Sequence, residues 1–276
     1  MKKQIPFKKN VIHGHSCESM AELPDGAIDL IFAGPPYGSL INYSSYAAGE
    51  QHYKAHSTDL PQYITSFQTW FSECFRVLRA GRYCIVNLGT IRENHKTIAL
   101  PFYAVSWLEE LGFSFQFEIV WDKIVGGRHE ARNFLAHPFP GRFTPNNRVE
   151  YLLFFKKNPR KAFAPRSKFY DANIIPLTDL FKREIANNVW HVHPATKRSS
   201  PDVSHPCPFP PEIPERIITY FSFPQETVLD PFMGSGSTAI AAKKLGRYYV
   251  GYETEDRFRI DAERLIAKYK RKYMAI

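Results

Sequence analysis

Cysteine is scarce in this 276-residue chain, and the four present, Cys17, Cys74, Cys84 and Cys207, are scattered without a Cys-x-x-Cys pair. That spacing supports neither a zinc site nor a disulfide framework, and reduced thiols fit it. No stretch approaches the roughly 20 apolar residues of a membrane span. Met1-Lys2-Lys3-Gln4 leads into no apolar run of signal-peptide length. Internal repeats and low-complexity tracts are absent. A soluble, cytoplasmic protein is expected.

What is present is a core and a localised charge. Hydrophobic residues make up 44% and aromatics 15%, enough for a large domain, and 21 prolines point to long structured loops. The net charge is +9. Residues 123–200 hold 15 Lys and Arg against 5 Asp and Glu, while the rest of the chain holds 21 against 22. A near-neutral body with one basic region suggests a local polyanion-binding surface, although a solvated basic face would read the same way.

Along the chain, Ile28-Asp29-Leu30-Ile31-Phe32-Ala33 reads as a buried strand that breaks at Gly34-Pro35-Pro36. Leu60, Tyr63, Ile64, Phe67, Trp70, Phe71, Cys74, Phe75 and Leu78 recur at spacings of three and four, the apolar face of a long helix. A strand is expected at 83–86, a helix at 97–111 stopped by Gly112, and strands at 113–121 and 149–155. Residues 156–200 lose this regularity. A helix follows Pro211, with Pro214 in its first turn. Then come a strand at 228–230, a helix at 236–245, a strand at 248–253 and a C-terminal helix. The alternation implies a mostly parallel α/β sheet with the basic segment outside it. The expected division is 1–122, a catalytic half; 123–200, a recognition lobe that includes the late strand near 149–155; and 201–276, a cofactor half.

Two loops carry the chemistry. Asp230-Pro231-Phe232-Met233-Gly234-Ser235-Gly236-Ser237-Thr238 lies between a strand and a helix, where glycines admit a ligand to the backbone and the helix start offers free N–H groups. Glu253 ends the next strand, where a carboxylate can bind ribose hydroxyls. A lone Gly-x-Gly is as often a tight turn; the ordered strand, loop, helix, strand and acid point to a nucleoside cofactor. An NAD domain usually begins with such a unit. Here only one strand follows it, so earlier strands must complete a circularly permuted sheet.

The second loop is Gly34-Pro35-Pro36-Tyr37. Two prolines fix the backbone and donate no hydrogen bonds, so their carbonyls stay free as acceptors. An aromatic ring on that loop can stack on a planar base. The pattern suits chemistry on an exocyclic amine, whose lone pair is conjugated into the base ring. Acceptors aimed at its hydrogens favour the pyramidal, nucleophilic form, once the base has left the stack.

In this ordered set the chain resembles the beta group of DNA amino-methyltransferases, the N4-cytosine and N6-adenine enzymes of restriction-modification systems, in which the catalytic motif precedes the cofactor motif. Gly34-Pro35-Pro36-Tyr37 looks like their catalytic loop and Leu78–Tyr83 like the entry to the next strand. Arg148–Phe155 looks like a late core strand, and His205-Pro206-Cys207-Pro208-Phe209-Pro210 like the motif lining the methionine side of the pocket. The resemblance implies a Rossmann-like methyltransferase sheet with helices on both faces, S-adenosyl-L-methionine as cofactor and double-stranded DNA as substrate. Cofactor binding would fall to His15, His205, Pro206, Phe209, Pro210, Asp230, Pro231, Phe232, Gly234, Gly236, Thr238 and Glu253. DNA contacts would fall to Arg128, Arg132, Arg142 and Arg148 in the basic lobe; Arg148, entering a strand, is alternatively structural. No metal is implied, since a methyl sulfonium needs no Lewis acid. A restriction endonuclease partner and a homodimer are left open.

Two positions depart from the family pattern. The catalytic loop normally opens with Asp or Ser, whose side chain accepts a hydrogen bond from the target amine; Gly34 has none. Either the Pro35 carbonyl and Tyr37 suffice, or this chain is slow or inactive while still binding cofactor and DNA. His15 stands where an acidic residue often contacts the adenosine end. The His-Pro-x-x-Phe-Pro form at 205–210 is closer to the cytosine members, so cytosine N4 is the expected target and adenine N6 the alternative. Rival readings are an NAD oxidoreductase, which leaves Pro-Pro-Tyr unexplained; a C5-cytosine methyltransferase using Cys207; an RNA or protein methyltransferase; and a non-catalytic DNA-binding protein.

Overall fold

The computed structural model of the protein describes residues 6–37, 60–93, 96–123, 140, 147–166, 178, 185–195 and 208–269. In chain order these form β1 (Val11–His13), β2 (Ile28–Ala33), α1 (Leu60–Val77), β3 (Leu78–Leu88), β4 (Ile91–Glu93), β5 (Lys96–Ile98), α2 (Leu100–Glu110), β6 (Phe113–Asp122), β7 (Val149–Lys157) and β8 (Val189–His191). They continue with α3 (Glu212–Phe221), β9 (Thr227–Asp230), α4 (Ser237–Lys244), β10 (Tyr248–Tyr252) and α5 (Asp256–Ala267). Eight strands make one sheet in the order β1-β10-β9-β2-β3-β7-β6-β8, and β4 and β5 form a separate hairpin. The strands from β1 to β3 run parallel, and β7 is antiparallel to both β3 and β6.

The period of two in strands places alternate side chains on opposite faces. Ile31 and Ala33 of β2 join one core with Tyr63, Phe67, Phe71 and Cys74 of α1 and Leu100, Ala104 and Leu108 of α2. Leu30 and Phe32 join the other with Ile213 and Ile217 of α3, Ala239 and Ala242 of α4 and Ile266 of α5. This explains why β2 reads as a continuous apolar run: both faces are covered by helices. Each buried Phe contributes about 1.5–3 kcal/mol of transfer free energy, so α1 is held chiefly by its aromatic face.

The basic segment enters the sheet more than its pattern suggests. Beyond β7, Val189–His191 adds an edge strand parallel to β6, with Trp190 buried. Three residues are too few to show a period, and β1 escapes notice for the same reason. The long helix ends at Val77, and β3 begins at once with Leu78.

At the amino ends of the parallel strands lies a buried ion network. Asp29 receives Arg166 Nε at 2.6 Å and Arg79 Nε at 2.9 Å, and it accepts the backbone N–H of Thr227 at 3.0 Å. Arg82 pairs with Glu226, which also receives Arg79 at 3.1 Å. Arg82 lies over the Phe163 ring, 4.2 Å from its centroid.

The opposite end holds the crevice. β2 and β9, distant in sequence, are neighbours through Leu30–Val228 and Ile31–Leu229. From this seam β2-α1-β3 winds one way and β9-α4-β10 the other. The loops after β2 and β9 therefore open side by side at a topological switch point, where α/β sheets bind ligands.

Candidate active site

A cavity of about 490 Å³ occupies that switch point. Of the residues singled out by sequence, His15, Gly34, Pro35, Pro36, Tyr37, Phe209, Asp230, Pro231, Phe232, Gly234, Thr238 and Glu253 line it. Pro210 and Gly236 lie outside the lining. His205 and Pro206, with the alternative nucleophile Cys207, lie outside the described residues, as do Arg128, Arg132 and Arg142.

The glycine loop is shaped by its own backbone. Gly234 and Gly236 both take positive φ, 47° and 80°. A side chain on Gly236 would also press on Ala262 of α5, its Cβ lying 3.0 Å from that methyl. Gly236 therefore shapes the turn and seats α5 rather than facing the cavity. Glu253 Oε2 accepts the N–H of Gly234 at 2.8 Å, and Oε1 that of Glu255 at 2.9 Å. Each oxygen keeps a lone pair for further donors.

Asp230 is buried and accepts Thr238 Oγ1 at 2.6 Å and the Phe232 N–H at 3.0 Å. Burial pushes its carboxyl pKa up to about 7, and burial likewise raises that of Glu253. Neither carboxylate is paired with a cation among the described residues. A buried and a partly buried acid, without a counter-charge among the described residues, suit a ligand that brings a positive charge and hydroxyl donors.

His15 borders the cavity. Its Nδ1 meets the Ser16 carbonyl at 3.0 Å and its Nε2 meets Glu22 Oε1 at 2.8 Å. The Ser16 carbonyl first, and Glu22 after it, hold the imidazole pKa above its usual value. A carboxylate, that of Glu22, thus stands one contact from the cavity through His15. His13, His15 and Glu22 also bring potential ligand atoms within 4.8 Å of one another.

The Pro-Pro-Tyr loop is anchored at its far end, where the Gly89 N–H donates to the Tyr37 hydroxyl at 2.7 Å. Its first residue is constrained by space. A Cβ on Gly34 would lie 2.7 Å from Cε2 of Phe209, well inside contact distance. Phe209 is wedged against Phe32 and Trp121, with ring centroids 5.1 and 6.2 Å away. Its carbonyl accepts Ser237 Oγ at 3.1 Å, which ties the segment leading into α3 to the start of α4. The ring of Phe209 occupies the room that a side chain at 34 would need.

Sequence pattern alone misses a polar group on the same wall. Asn87 and Gly89 from β3 and its exit, Trp121 and Lys123 from β6 and its exit, and Glu150 from β7 all line the cavity. Asn87 Nδ2 donates to Glu150 Oε2 at 2.5 Å, and Lys123 Nζ pairs with Glu150 Oε1. A visible signal existed: Asn87 is the one polar residue in Ile85-Val86-Asn87-Leu88, just before a glycine. Arg148 makes a two-pronged pair with Asp122, at 2.5 and 2.7 Å, closing the end of β6 onto the start of β7. It remains half-exposed.

Comparison with known proteins agrees with this geometry. Residues 28–264 match the N6/N4 methyltransferase family, described as DNA methylase. The Type II methyltransferase M.ScaI of Streptomyces caespitosus is 28% identical over 271 residues, covering 93% of this chain and 81% of the relative. M.MjaI of Methanocaldococcus jannaschii is 27% identical over 298 residues, covering 97% and 94%. Among solved structures, the Thermus thermophilus protein TTHA0409, in complex with S-adenosyl-L-methionine, superposes with a TM-score of 0.69 at 23% identity over 93% of each chain. The cytosine-N4-specific PvuII DNA methyltransferase gives 0.69 at 15% identity over 95% of this chain and 91% of its own. The last two likenesses are likenesses of fold.

Proposed function

The chain belongs to the DNA methylase family, the amino-methyltransferases of the beta group, and from that premise we propose that it moves a methyl group from S-adenosyl-L-methionine to the exocyclic amine of a base turned out of double-stranded DNA. The single observation that carries this is the shared cavity, walled by the Pro-Pro-Tyr loop on one side and the glycine loop with Glu253 on the other.

The residues fit the cofactor. Asp230 and Glu253 are acids without cationic partners among the described residues, matched to a ligand with an ammonium, a sulfonium and ribose hydroxyls. When bound, the cofactor supplies an electrophilic methyl: its C–S electron pair stays on sulfur as the base nitrogen bonds the carbon, and that nitrogen sheds a proton to solvent. The chain does the rest. The Pro35 carbonyl is an acceptor for one amine hydrogen. The Tyr37 ring, pinned through its hydroxyl, is a surface for stacking. His15 with Glu22 borders the pocket beside Tyr252, and Phe209 packs between the two loops.

Cytosine N4 is the favoured atom because the Phe209-Pro210 form of the motif is closer to that of the cytosine members; adenine N6 is the alternative. Residues 123–200 are assigned to DNA recognition on their charge surplus, with Arg128, Arg132 and Arg142 as phosphate or base contacts. Arg148 is better placed as a brace between β6 and β7. The halves 1–122 and 201–276 divide catalysis from cofactor binding. A cytoplasmic location and a cognate restriction endonuclease accord with the family; no described helix is long and apolar enough to cross a membrane. The test is transfer of labelled methyl from S-adenosyl-L-methionine to unmodified DNA and, in parallel, to RNA. Label on DNA alone is expected; label on RNA alone would reassign the substrate.

A further inference from the structure

The amine of a target base carries two hydrogens, and the loop backbone accounts for one acceptor. Gly34 offers no second. The wall beside it holds a candidate in Asn87, which also lines the cavity. Ala33 of β2 pairs with Val86 of β3, so the next positions along the two parallel strands, 34 and 87, lie side by side. Neighbouring strands are about 4.8 Å apart, and residues in register point to the same face. The Asn87 side chain therefore projects on the face where a residue-34 side chain would project, the face of Phe32 and Phe209.

Asn87 is 4% exposed, and its Oδ1 is buried without a hydrogen-bond partner among the described residues. Its orientation is fixed. Were the amide turned over, Oδ1 would face the Glu150 carboxylate, two acceptors in contact. Glu150 thus binds Nδ2 through one oxygen, Lys123 holds its other oxygen, and Oδ1 is left without a partner among the described residues. A buried acceptor without a donor is rare in folded proteins and calls for one.

We propose that Asn87 Oδ1 is the side-chain acceptor for the target amine, taking over at the neighbouring strand the part that Gly34 lacks, with Glu150 and Lys123 as its positioning residues. This rests on the function proposed above. It accounts for the pairing of Gly34 with Phe209: with the acceptor supplied from β3, position 34 is free to be a glycine and the ring fills its space. Asn87 accepts a hydrogen bond without taking up the proton, so its part is to draw the amine toward the pyramidal form. The same contact would discriminate against a base carrying a carbonyl in place of the amine, because two acceptors would then meet.

The experiment is single-turnover methylation of unmodified genomic DNA with saturating S-adenosyl-L-methionine, comparing the full chain with Asn87→Leu, Glu150→Gln and Glu150→Leu. Cofactor affinity is followed by calorimetry and DNA affinity by titration. Asn87→Leu, of similar volume, should slow the methyl-transfer step by roughly 10²–10³-fold, the range for loss of one transition-state hydrogen bond. Both affinities should stay within about twofold. Glu150→Gln, which still presents an oxygen to Nδ2, should keep most of the rate, while Glu150→Leu, which lets the amide turn, should fall toward Asn87→Leu. An Asn87→Leu rate within threefold of the unsubstituted chain would overturn the assignment and leave the methyltransferase reading intact. It would equally be overturned if the unsubstituted chain bound both ligands without turnover and Gly34→Ser with Phe209→Leu, which makes room for the new side chain, restored it. Failure to bind S-adenosyl-L-methionine at all would remove the functional reading and this assignment with it.

Discussion

The two ends of the same strands treat polar groups in opposite ways. At the amino ends, Asp29 and Glu226 are met by Arg79, Arg82 and Arg166, and the fold supplies its own counter-charges. At the carboxyl ends, among the described residues, Asp230 and Glu253 receive only neutral donors and Asn87 Oδ1 receives none. Burying a charge or an acceptor costs free energy at either end. One end offsets much of that cost with its own counter-charges, although Arg82 Nε and Nη1 have no hydrogen-bond partner among the described residues, while the other leaves it to be recovered when a ligand binds. What separates the two ends is the counter-charge: the buried acids of one meet arginines, and the acids of the other meet none among the described residues.

The largest expected effect lies at the closed end. Arg82→Leu removes the fully buried partner of Glu226 and should lower stability by about 3 kcal/mol, the low end for breaking a buried pair because Arg79 still meets Glu226. Burial pushes the Arg82 pKa down to about 10, so the group is still a cation at neutral pH. Urea unfolding measures the loss, and the folded fraction should bind S-adenosyl-L-methionine with unchanged affinity. An unshifted midpoint would mean that this end is no more self-sufficient than the other.

At the open end, Glu253→Ala should leave the fold largely intact and weaken S-adenosyl-L-methionine by about 1.5–3 kcal/mol, roughly tenfold or more. Calorimetry on the folded variant checks this, and unchanged affinity would take Glu253 out of the site.

Asp230 sharpens the contrast through pH. Its pKa in the folded protein is about 7 against the ordinary 3.8, so the native state holds the proton more tightly than the unfolded chain. The stability this contributes is complete below about pH 4 and lost as pH rises through 7. A cationic ligand requires the ionised form. Cofactor affinity should therefore rise about tenfold from pH 6 to pH 7–8 and then level off. Asp230→Asn should flatten that profile and bind more weakly at pH 8. A wild-type affinity that does not change between pH 6 and 8 would show that the carboxylate does not meet the cofactor's charge.

The smallest effect is at Tyr37. Its hydroxyl accepts the Gly89 N–H, so Tyr37→Phe should lose about 0.5–1.5 kcal/mol of loop positioning. Tyr37→Ala adds the loss of stacking, about 1–3 kcal/mol. Methylation rates at saturating DNA and cofactor separate the two; equal rates for all three forms would make the ring a plug between loop and core.

Legibility in the sequence followed the range of the interactions. Local devices were readable. The aromatic period of α1, the break at Gly34-Pro35-Pro36 and the glycine loop with Glu253 one strand later fall where their patterns put them. The glycine loop follows the Pro-Pro-Tyr loop in the chain, and their strands β9 and β2 are neighbours in one sheet, the order that a permuted sheet requires. Long-range partnerships were not readable. Arg82 and Glu226 are 144 residues apart, Asn87 and Glu150 63 apart, and no period links them. Gly34 reads in sequence as a missing acceptor; only the Phe209 ring in its space and Asn87 at its side make it part of a different arrangement.

The measurement that bears most directly on all of this is the identity of the product. DNA exposed to the protein and methyl-labelled S-adenosyl-L-methionine is digested to nucleosides, and the labelled nucleoside is identified by mass. Label on an exocyclic nitrogen, N4 of cytosine foremost and N6 of adenine as the alternative, is the result expected of an open end built to receive an amine. Label at C5 of cytosine would contradict it, since that chemistry needs a thiolate and leaves Pro35, Tyr37 and Asn87 without a part; so would no label on DNA from a chain that binds both substrates.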